Sequence, residues 1–269
     1  MLESAIDSPP TIIDPNDKTI GSMSDHKDAA KEYGCYHYLR SDESKPHYVQ
    51  TGITESFSIH DRLDYSGFCI KSTRDASQHF SQAQITTWAY YSKLGESFAK
   101  PKQVDLLADL PQAESVISCR YYLRSNQLRV YRKVNSETLK VFDYPYRGEL
   151  PILPLMRCFL GPLIYLMSKS ERGTSEMIVP DIRDPASSEF ALPLFEKRNA
   201  QILPQRKKKI MIDSQDRCAQ AYSFLGGNYD HNSIFWLDRS NQLLLCYDYK
   251  APNGEKWRTW LKNHRSESI

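Results

Sequence analysis

Apolar and polar side chains alternate through residues 116–134, and this is the clearest periodicity in the chain. A two-residue turn at Ser125 and Asn126 divides the stretch into two strands, because asparagine tolerates the positive φ of tight hairpin turns. One face of the predicted hairpin is apolar except for Arg132, so we expect this face to be buried. Its apolar positions are Ile117, Cys119, Tyr121, Leu123, Leu128, Val130 and Val134.

The opposite face of this hairpin is basic and aromatic. In the predicted register, Arg120 lies opposite Tyr131 and Tyr122 lies opposite Arg129. Such a face is typical of an outer sheet surface stabilised by cation–π contacts, and it is also a candidate platform for nucleic acid. The chain has 35 Lys and Arg against 33 Asp and Glu, which gives a net charge of +2. Because nucleic-acid binders usually carry a strong basic excess, we expect no nucleic-acid partner.

The C-terminal part of the chain predicts a second antiparallel group, with strands at 219–225, 234–237, 243–249 and 256–261. The central hairpin of this group is apolar on both faces, so something must cover each of them. The expected faces are Phe235, Leu237, Leu244 and Cys246 on one side, and Ile234, Trp236, Leu243, Leu245 and Tyr247 on the other.

Short strands are expected in the rest of the chain as well. They are predicted at 54–59, 67–72, 84–91 and 139–144. Only 103–110 and 155–168 favour helix, and 184–193 predicts a loop-rich excursion. The sum is roughly nine to eleven strands, which is typical of an antiparallel barrel or sandwich. The predicted fold is therefore mainly antiparallel β, either a calycin-like barrel or a strongly curved sheet, with a few short helices.

Residues 1–31 are rich in polar side chains and contain no aromatic residue, so we expect a disordered tail followed by one domain over 32–269. The N-terminus lacks the basic start and apolar run of a secretory signal, and the six cysteines are scattered. Both features predict a cytoplasmic protein. The sequence has no glycine-rich phosphate loop and no metal-ligand spacing, so we expect neither a cofactor nor a metal site.

Two segments are candidates for contact with a membrane surface or another protein. Residues 150–167 are mostly apolar, but Arg157 and three prolines argue against a spanning helix and favour a buried connection or helical turns. Residues 206–209 are a basic run in a predicted loop. A non-enzymatic module that docks through both segments is the third functional hypothesis. The oligomeric state is not predicted.

The turn cluster Gly226-Gly-Asn-Tyr-Asp230 precedes Phe235-Trp-Leu-Asp238, a late strand that ends in Trp-x-Asp. Together with the hairpin that follows, this pattern resembles the architecture of curved-sheet and calycin-like proteins that hold lipids or other apolar small molecules. The resemblance covers about the last 50 residues and includes no diagnostic motif. No functional residue is therefore carried over from that family.

The leading hypothesis is a binding protein for a hydrophobic small molecule, such as a lipid or isoprenoid, held in a β-barrel cavity. It rests on an aromatic content of 12% and on the hairpin that is apolar on both faces. Arg132 is the sharpest candidate for holding an acidic head group, because a charge on a buried face needs a partner. The candidate ligand-binding residues are Trp88, Tyr90, Arg120, Tyr121, Arg132, Trp236 and Tyr247.

The alternative hypothesis is a cofactor-independent enzyme of the isomerase, cyclase or hydrolase type that acts on an apolar substrate in the same cavity. Such an enzyme needs an acid and a base that converge on the substrate. The candidate catalytic residues are Glu55, His60, Asp75, Asp230 and His231.

Overall fold

The computed structural model of the protein describes residues 30–41, 47–61, 67–79, 82–92, 100–124, 126–146, 150–154, 156–170, 172–227, 229, 232–251 and 254–266. Nearly all of the predicted tail, residues 1–29, lies outside this described part. Within these described residues, fourteen strands form a single sheet. In chain order they are β1 (Glu32–Ser41), β2 (Val49–Asp61), β3 (Gly67–Asp75), β4 (Gln84–Ser92), β5 (Gln103–Leu110), β6 (Ser115–Arg124), β7 (Gln127–Val134), β8 (Lys140–Pro145), β9 (Thr174–Pro180), β10 (Pro193–Ile212), β11 (Gln215–Leu225), β12 (Ile234–Asp238), β13 (Leu244–Lys250) and β14 (Lys256–Ser266).

Two antiparallel meanders make up this sheet. The order runs from β8 down to β1 and then from β14 down to β9, so the pairing of β1 with β14 joins the two halves. This topology confirms the mainly antiparallel class and the strongly curved sheet. The barrel alternative is wrong, because β8 and β9 are the two edges of the described sheet and do not pair with each other.

The concave face of the sheet is covered by α1 (Arg157–Lys169), which packs against β10 and β13. This element confirms the helix predicted over 155–168. Gly161 brings the helix backbone against the connection between β12 and β13, where a Cβ atom at position 161 would lie 2.6 Å from the Leu244 amide nitrogen. Only glycine fits this contact. Within the described residues, no helix has the length and apolar character needed to cross a bilayer.

The gap between β8 and β9 is bridged by side chains rather than by backbone hydrogen bonds; we call it the seam. The rings of Tyr144 on β8 and Phe195 on β10 lie 6.2 Å apart across it. Residues 181–192 fold over the concave face beside the seam, and the Tyr121 hydroxyl donates to the carbonyl oxygen of Ala191 in that segment. The predicted loop-rich excursion is therefore the piece that covers the place where the sheet does not close.

The hairpin formed by β6 and β7 follows the sequence pattern closely. Arg120 lies opposite Tyr131 and Tyr122 lies opposite Arg129, which confirms the predicted register. Asn126 has a φ of 65°, as the tight turn requires. The apolar face of the hairpin joins the core on the concave side of the sheet.

The hairpin formed by β12 and β13 departs from its predicted faces. Phe235 pairs with Tyr247, Trp236 pairs with Cys246, and the register shifts before Leu237 pairs with Leu244. This β-bulge adds one residue to β13, and one extra residue reverses the direction of every side chain beyond it. The prediction that Trp236 and Tyr247 share a face is therefore wrong, because they point to opposite sides of the sheet.

Two further predictions are corrected by strand pairing. Residues 103–110 are rich in helix-forming Leu and Ala, yet they form β5, whose pairing with β4 and β6 overrides that local preference. Val104, Leu106, Ala108 and Leu110 alternate into the core, a period of two that the helix prediction overlooked. The basic run at 206–209 lies in β10 and not in a loop.

Candidate functional site

A groove of about 340 Å³ opens beside the seam, between the ends of β6, β7 and β8 and the 181–192 segment. We call it the seam groove. The residues that line it are Ala113, Ser115, Ile117, Arg132, Val134, Glu137, Lys140, Pro185, Ala186, Ser187 and Ser188. Five of these are apolar, and Glu137 and Lys140 pair with each other on the exposed rim at 3.6 Å.

Arg132 is the charged residue buried in this lining. It is 5% exposed, and its Nε donates to the Phe190 carbonyl oxygen at 3.0 Å. That is the only hydrogen bond its guanidinium makes within the described residues, and no carboxylate there lies within ion-pair distance of it. The buried charge predicted from the sequence is present, and its counterion is missing from the described part of the chain.

The titratable groups next to Arg132 on the β6 side are neutral, and its partner on β8 is a second cation, Lys140. Cys119 is its cross-strand neighbour, and burial raises the pKa of this thiol to about 12. Burial also raises the pKa of Tyr121 well above its usual value, against the opposing effect of Arg132. Neither side chain therefore becomes a counterion near neutral pH, because each keeps its proton there.

The 181–192 segment holds its shape through a compact set of hydrogen bonds. The Asp181 and Leu192 backbones bond at 2.8 Å, and the Ala191 N–H donates to the Asp181 carbonyl at 2.6 Å. Arg183 donates from both guanidinium arms to the Asp181 carboxylate, and these bonds lower the pKa of that carboxyl group. Ala191 adopts a φ of 64° within this set of bonds. These contacts present the carbonyls of residues 190 and 191 to the sheet.

A second charged cluster is buried where α1 begins. Glu55 on β2 is fully buried, and its carboxylate accepts hydrogen bonds from three groups. The Tyr38 hydroxyl donates at 2.7 Å, Arg74 donates at 3.3 Å, and the backbone N–H of Arg157 donates to the other carboxylate oxygen. Two neighbouring strands and the first residue of the helix thus meet at one carboxylate.

The Arg157 side chain is held by tyrosines. Its Nε donates to the Tyr38 hydroxyl and one terminal nitrogen donates to the Tyr229 hydroxyl, both at 3.1 Å. Its guanidinium also lies 4.9 Å from the centre of the Tyr247 ring, a cation–π contact. Together with Glu55, these contacts fix the start of α1 on the concave face.

The predicted catalytic residues are not brought together in the described part of the chain. Glu55 points to the concave face, whereas His60 and Asp75 point to the convex face. His60 contacts the Ser58 hydroxyl at 2.8 Å, and Asp75 accepts the backbone N–H of Ser77. Asp230 and His231 lie outside the described residues. The catalytic roles of all five residues stay predictions. The contacts of Glu55 hold Tyr38, Arg74 and the start of α1 together.

The predicted ligand-binding residues divide between the two faces. Tyr121, Arg132 and Tyr247 lie in the concave core. The others lie on the convex face: Trp88, Tyr90, Arg120 and Trp236.

Charged partners contact several of these convex residues. Arg120 makes a two-armed ion pair with Asp105 at 2.7 and 2.8 Å. Lys71 lies 5.9 Å from the Trp88 ring, and Lys208 lies 4.0 Å from the Trp236 ring. The two faces of one sheet do not line a common cavity, so the seven residues do not form one site.

Sequence reasoning missed several residues that make these buried polar contacts, although signals for some were visible. Arg157 interrupts an apolar run and Asp105 interrupts the apolar β5, and a charge in such a position implies a buried partner. Tyr38 and Phe190 carry no such signal. Their roles depend on contacts between segments far apart in the chain.

Comparison with known proteins finds no protein-family model that matches this chain, and no curated protein that matches it.

Proposed function

We propose that the protein binds a small amphipathic molecule whose acidic head group pairs with Arg132 in the seam groove. The observation that carries the proposal is a buried arginine, 5% exposed, whose guanidinium lacks a carboxylate partner within the described residues. The proposal keeps the hydrophobic ligand expected from the sequence. The expected binding site is no longer the cavity of a closed, calycin-like barrel but a groove beside the seam.

The charge of Arg132 supports an acidic head group. Removing an ion from water costs several kcal/mol unless a counterion and hydrogen bonds replace the lost hydration. The Phe190 carbonyl satisfies Nε, and the terminal nitrogens make no hydrogen bond within the described residues. A carboxylate fits this arrangement, because it accepts from a guanidinium through charge-assisted bonds that are shorter and stronger than neutral ones.

The remaining lining supports an apolar body on the ligand. Ile117 and Val134 form the sheet side of the groove, and Pro185 and Ala186 form the side of the covering segment. Small-molecule sites are usually apolar clefts of about 300–1,000 Å³ with a few placed polar groups. A groove of about 340 Å³ lies at the small end of that range, which favours a medium-length chain over a long-chain lipid.

The experiment compares octanoate with octanol by titration calorimetry. We expect the wild-type protein to prefer the acid, and we expect Arg132→Met to weaken octanoate binding by about tenfold or more, since a hydrogen bond to a charged group contributes roughly 1.5–3 kcal/mol. Octanol binding should be the same in both proteins. Native mass spectrometry of protein purified from its own host would identify a bound acid directly.

Arg129→Met is the matched control. Arg129 lies on the same strand but on the convex face, where it pairs with Asp143 at 2.8 Å. This variant loses the same charge and should bind octanoate as the wild type does. The proposal is wrong if no medium-chain acid binds the wild-type protein, or if Arg132→Met and Arg129→Met bind octanoate equally well.

A further inference from the structure

A second groove, of about 380 Å³, lies between the end of α1, the bulged part of β10 and the connection from β12 to β13. We call it the helix-end groove. Its lining includes Tyr165 and Lys169 from α1, Lys207 from β10, Tyr222 from β11 and Arg239 from the connection. The groove exists because the register of β10 against β11 shifts between Ile202 and Lys207, which bends β10 away from its neighbour.

Three cations from three separate segments converge on this groove. Within the described residues, Lys169, Lys207 and Arg239 have no carboxylate partner. Asp238 is the one carboxylate in the lining, and it is already occupied by the Ser240 N–H and hydroxyl and by Arg217 at 3.5 Å. Even if the charge of Asp238 is counted against the three cations, the lining of the groove carries two positive charges in excess.

The floor of the groove adds a hydrogen-bond donor. Tyr222 is 5% exposed, lines the groove, and makes no hydrogen bond within the described residues. Burial raises the pKa of its hydroxyl, so the proton stays in place near neutral pH. The hydroxyl is therefore available to donate a hydrogen bond to a ligand oxygen in the groove.

The carbonyl groups at the end of α1 do not compete strongly for these cations. The C-terminal end of a helix carries a partial negative charge, which Lys169 in the last turn opposes. The Met167 carbonyl accepts from both the backbone and the hydroxyl of Ser170, and the Tyr165 carbonyl accepts from the Ser168 hydroxyl. These carbonyls are therefore already hydrogen-bonded, and the Lys169 ammonium lies 5.3 Å from the centre of the Tyr165 ring, which also lines the groove.

We propose that the helix-end groove binds the phosphate monoester group of a small molecule. A phosphate monoester carries about −1.5 to −2 charges at pH 7 and presents three strong acceptor oxygens, which match two excess positive charges and a tyrosine hydroxyl that has no hydrogen-bond partner in the described part of the chain. The groove is small and concave, which favours a small metabolite over an extended surface. The site shares no lining residue with the seam groove and is independent of the function proposed for Arg132.

The test measures the binding of phenyl phosphate to the full chain by titration calorimetry, at pH 7.5 and constant ionic strength. Phenol serves as the uncharged probe. We expect saturable binding of phenyl phosphate only, and we expect Lys207→Met and Arg239→Met each to weaken it by about five- to tenfold. Tyr222→Phe should weaken it as well, with no change in net charge.

Lys208→Met is the matched control, because Lys208 is the next residue along β10 and its ammonium lies over the Trp236 ring on the convex face. It removes the same charge and should leave the affinity within twofold of wild type. The proposal fails if phenyl phosphate does not saturate, or if Lys208→Met and Lys207→Met weaken binding equally. Binding to vesicles that contain phosphatidate without binding of phenyl phosphate would also overturn it, in favour of a membrane surface.

Arg132→Met separates the two grooves. We expect this variant to bind phenyl phosphate as the wild type does, and we expect octanoate not to compete with phenyl phosphate. Loss of phenyl phosphate binding in Arg132→Met would assign the anion to the seam groove and overturn the assignment to the helix-end groove.

Discussion

The guanidinium of Arg132 and the carbonyl of Phe190 are joined by a hydrogen bond of 3.0 Å across the seam of the sheet. This bond connects β7 to the segment that covers the open side of the concave face. It satisfies one donor of a buried cation and supplies no negative charge. The relationship therefore links the open sheet to the proposed ligand, because a sheet closed by strand pairing would leave no groove at this position.

Arg132→Met is expected to stabilise the protein in the absence of ligand. Methionine fills much of the same volume without an uncompensated charge, and replacing buried ionic groups by apolar ones often adds about 1–4 kcal/mol to the free energy of unfolding. Urea denaturation of ligand-free protein measures this. Arg129→Met, on the exposed face of the same strand, should leave the urea midpoint close to that of the wild type, because a solvent-exposed ion pair contributes little. A destabilised Arg132→Met would mean that the bond to Phe190 outweighs the buried charge.

Glu55→Gln is expected to destabilise the protein by about 3–5 kcal/mol, because the partly buried Arg74 loses its ion-pair partner and the Arg157 backbone N–H loses a charged acceptor. In the variant, the amide N–H groups of glutamine would also face the groups that donate to the Glu55 carboxylate in the wild type. Tyr38→Phe should cost less, about 1–2 kcal/mol, because it removes a neutral hydroxyl from the same cluster. Chemical denaturation of both variants would measure these changes in the free energy of unfolding. Glu137→Gln, on the exposed rim of the seam groove, is the control and should be close to neutral.

Gly161→Ala is expected to destabilise the protein although alanine favours helix by about 1 kcal/mol over glycine. The added Cβ meets the backbone around Leu244, which is part of a paired strand and cannot move away easily. Overpacking of this kind costs about 1–3 kcal/mol or more. Leu166→Ala, at an exposed position of the same helix, should change stability by less than about 1 kcal/mol. A Gly161→Ala protein as stable as the wild type would contradict the close packing of α1.

Asp105 and Asp143 should show opposite pH dependence, although each pairs with an arginine on a neighbouring strand. Burial raises the pKa of Asp105 despite Arg120, so its contribution to stability is largest below pH 3.8 and is lost as the pH rises through the folded-state pKa. Hydrogen bonds from Arg129 lower the pKa of Asp143, so its contribution is present above pH 3.8 and is lost as the pH falls.

This contrast is measured by comparing urea midpoints of wild type, Asp105→Asn and Asp143→Asn between pH 3 and pH 7. Relative to Asp105→Asn, the wild type should lose stability as the pH rises. Relative to Asp143→Asn, it should gain stability over the same change. Parallel curves for the two variants would show that burial does not separate the two carboxyl groups.

Local alternation determined much of the sheet from the sequence. The apolar face of residues 116–134 and the register of Arg120 with Tyr131 followed from a period of two and one turn, because both depend only on neighbours in the chain. The burial of Arg132 followed for the same reason. The helix at α1 was also visible, since the apolar run around Arg157 exceeds the length of a strand.

The tertiary structure decided what local pattern does not contain. The bulge in β13 reversed Tyr247 relative to Trp236, and pairing with two neighbours made β5 a strand although its composition favours helix. Whether β8 and β9 would meet depends on the summed curvature of fourteen strands, and the partner of Arg132 depends on a segment 58 residues away. A period of two fixes which way a side chain points, whereas the group it meets is set by packing among distant segments.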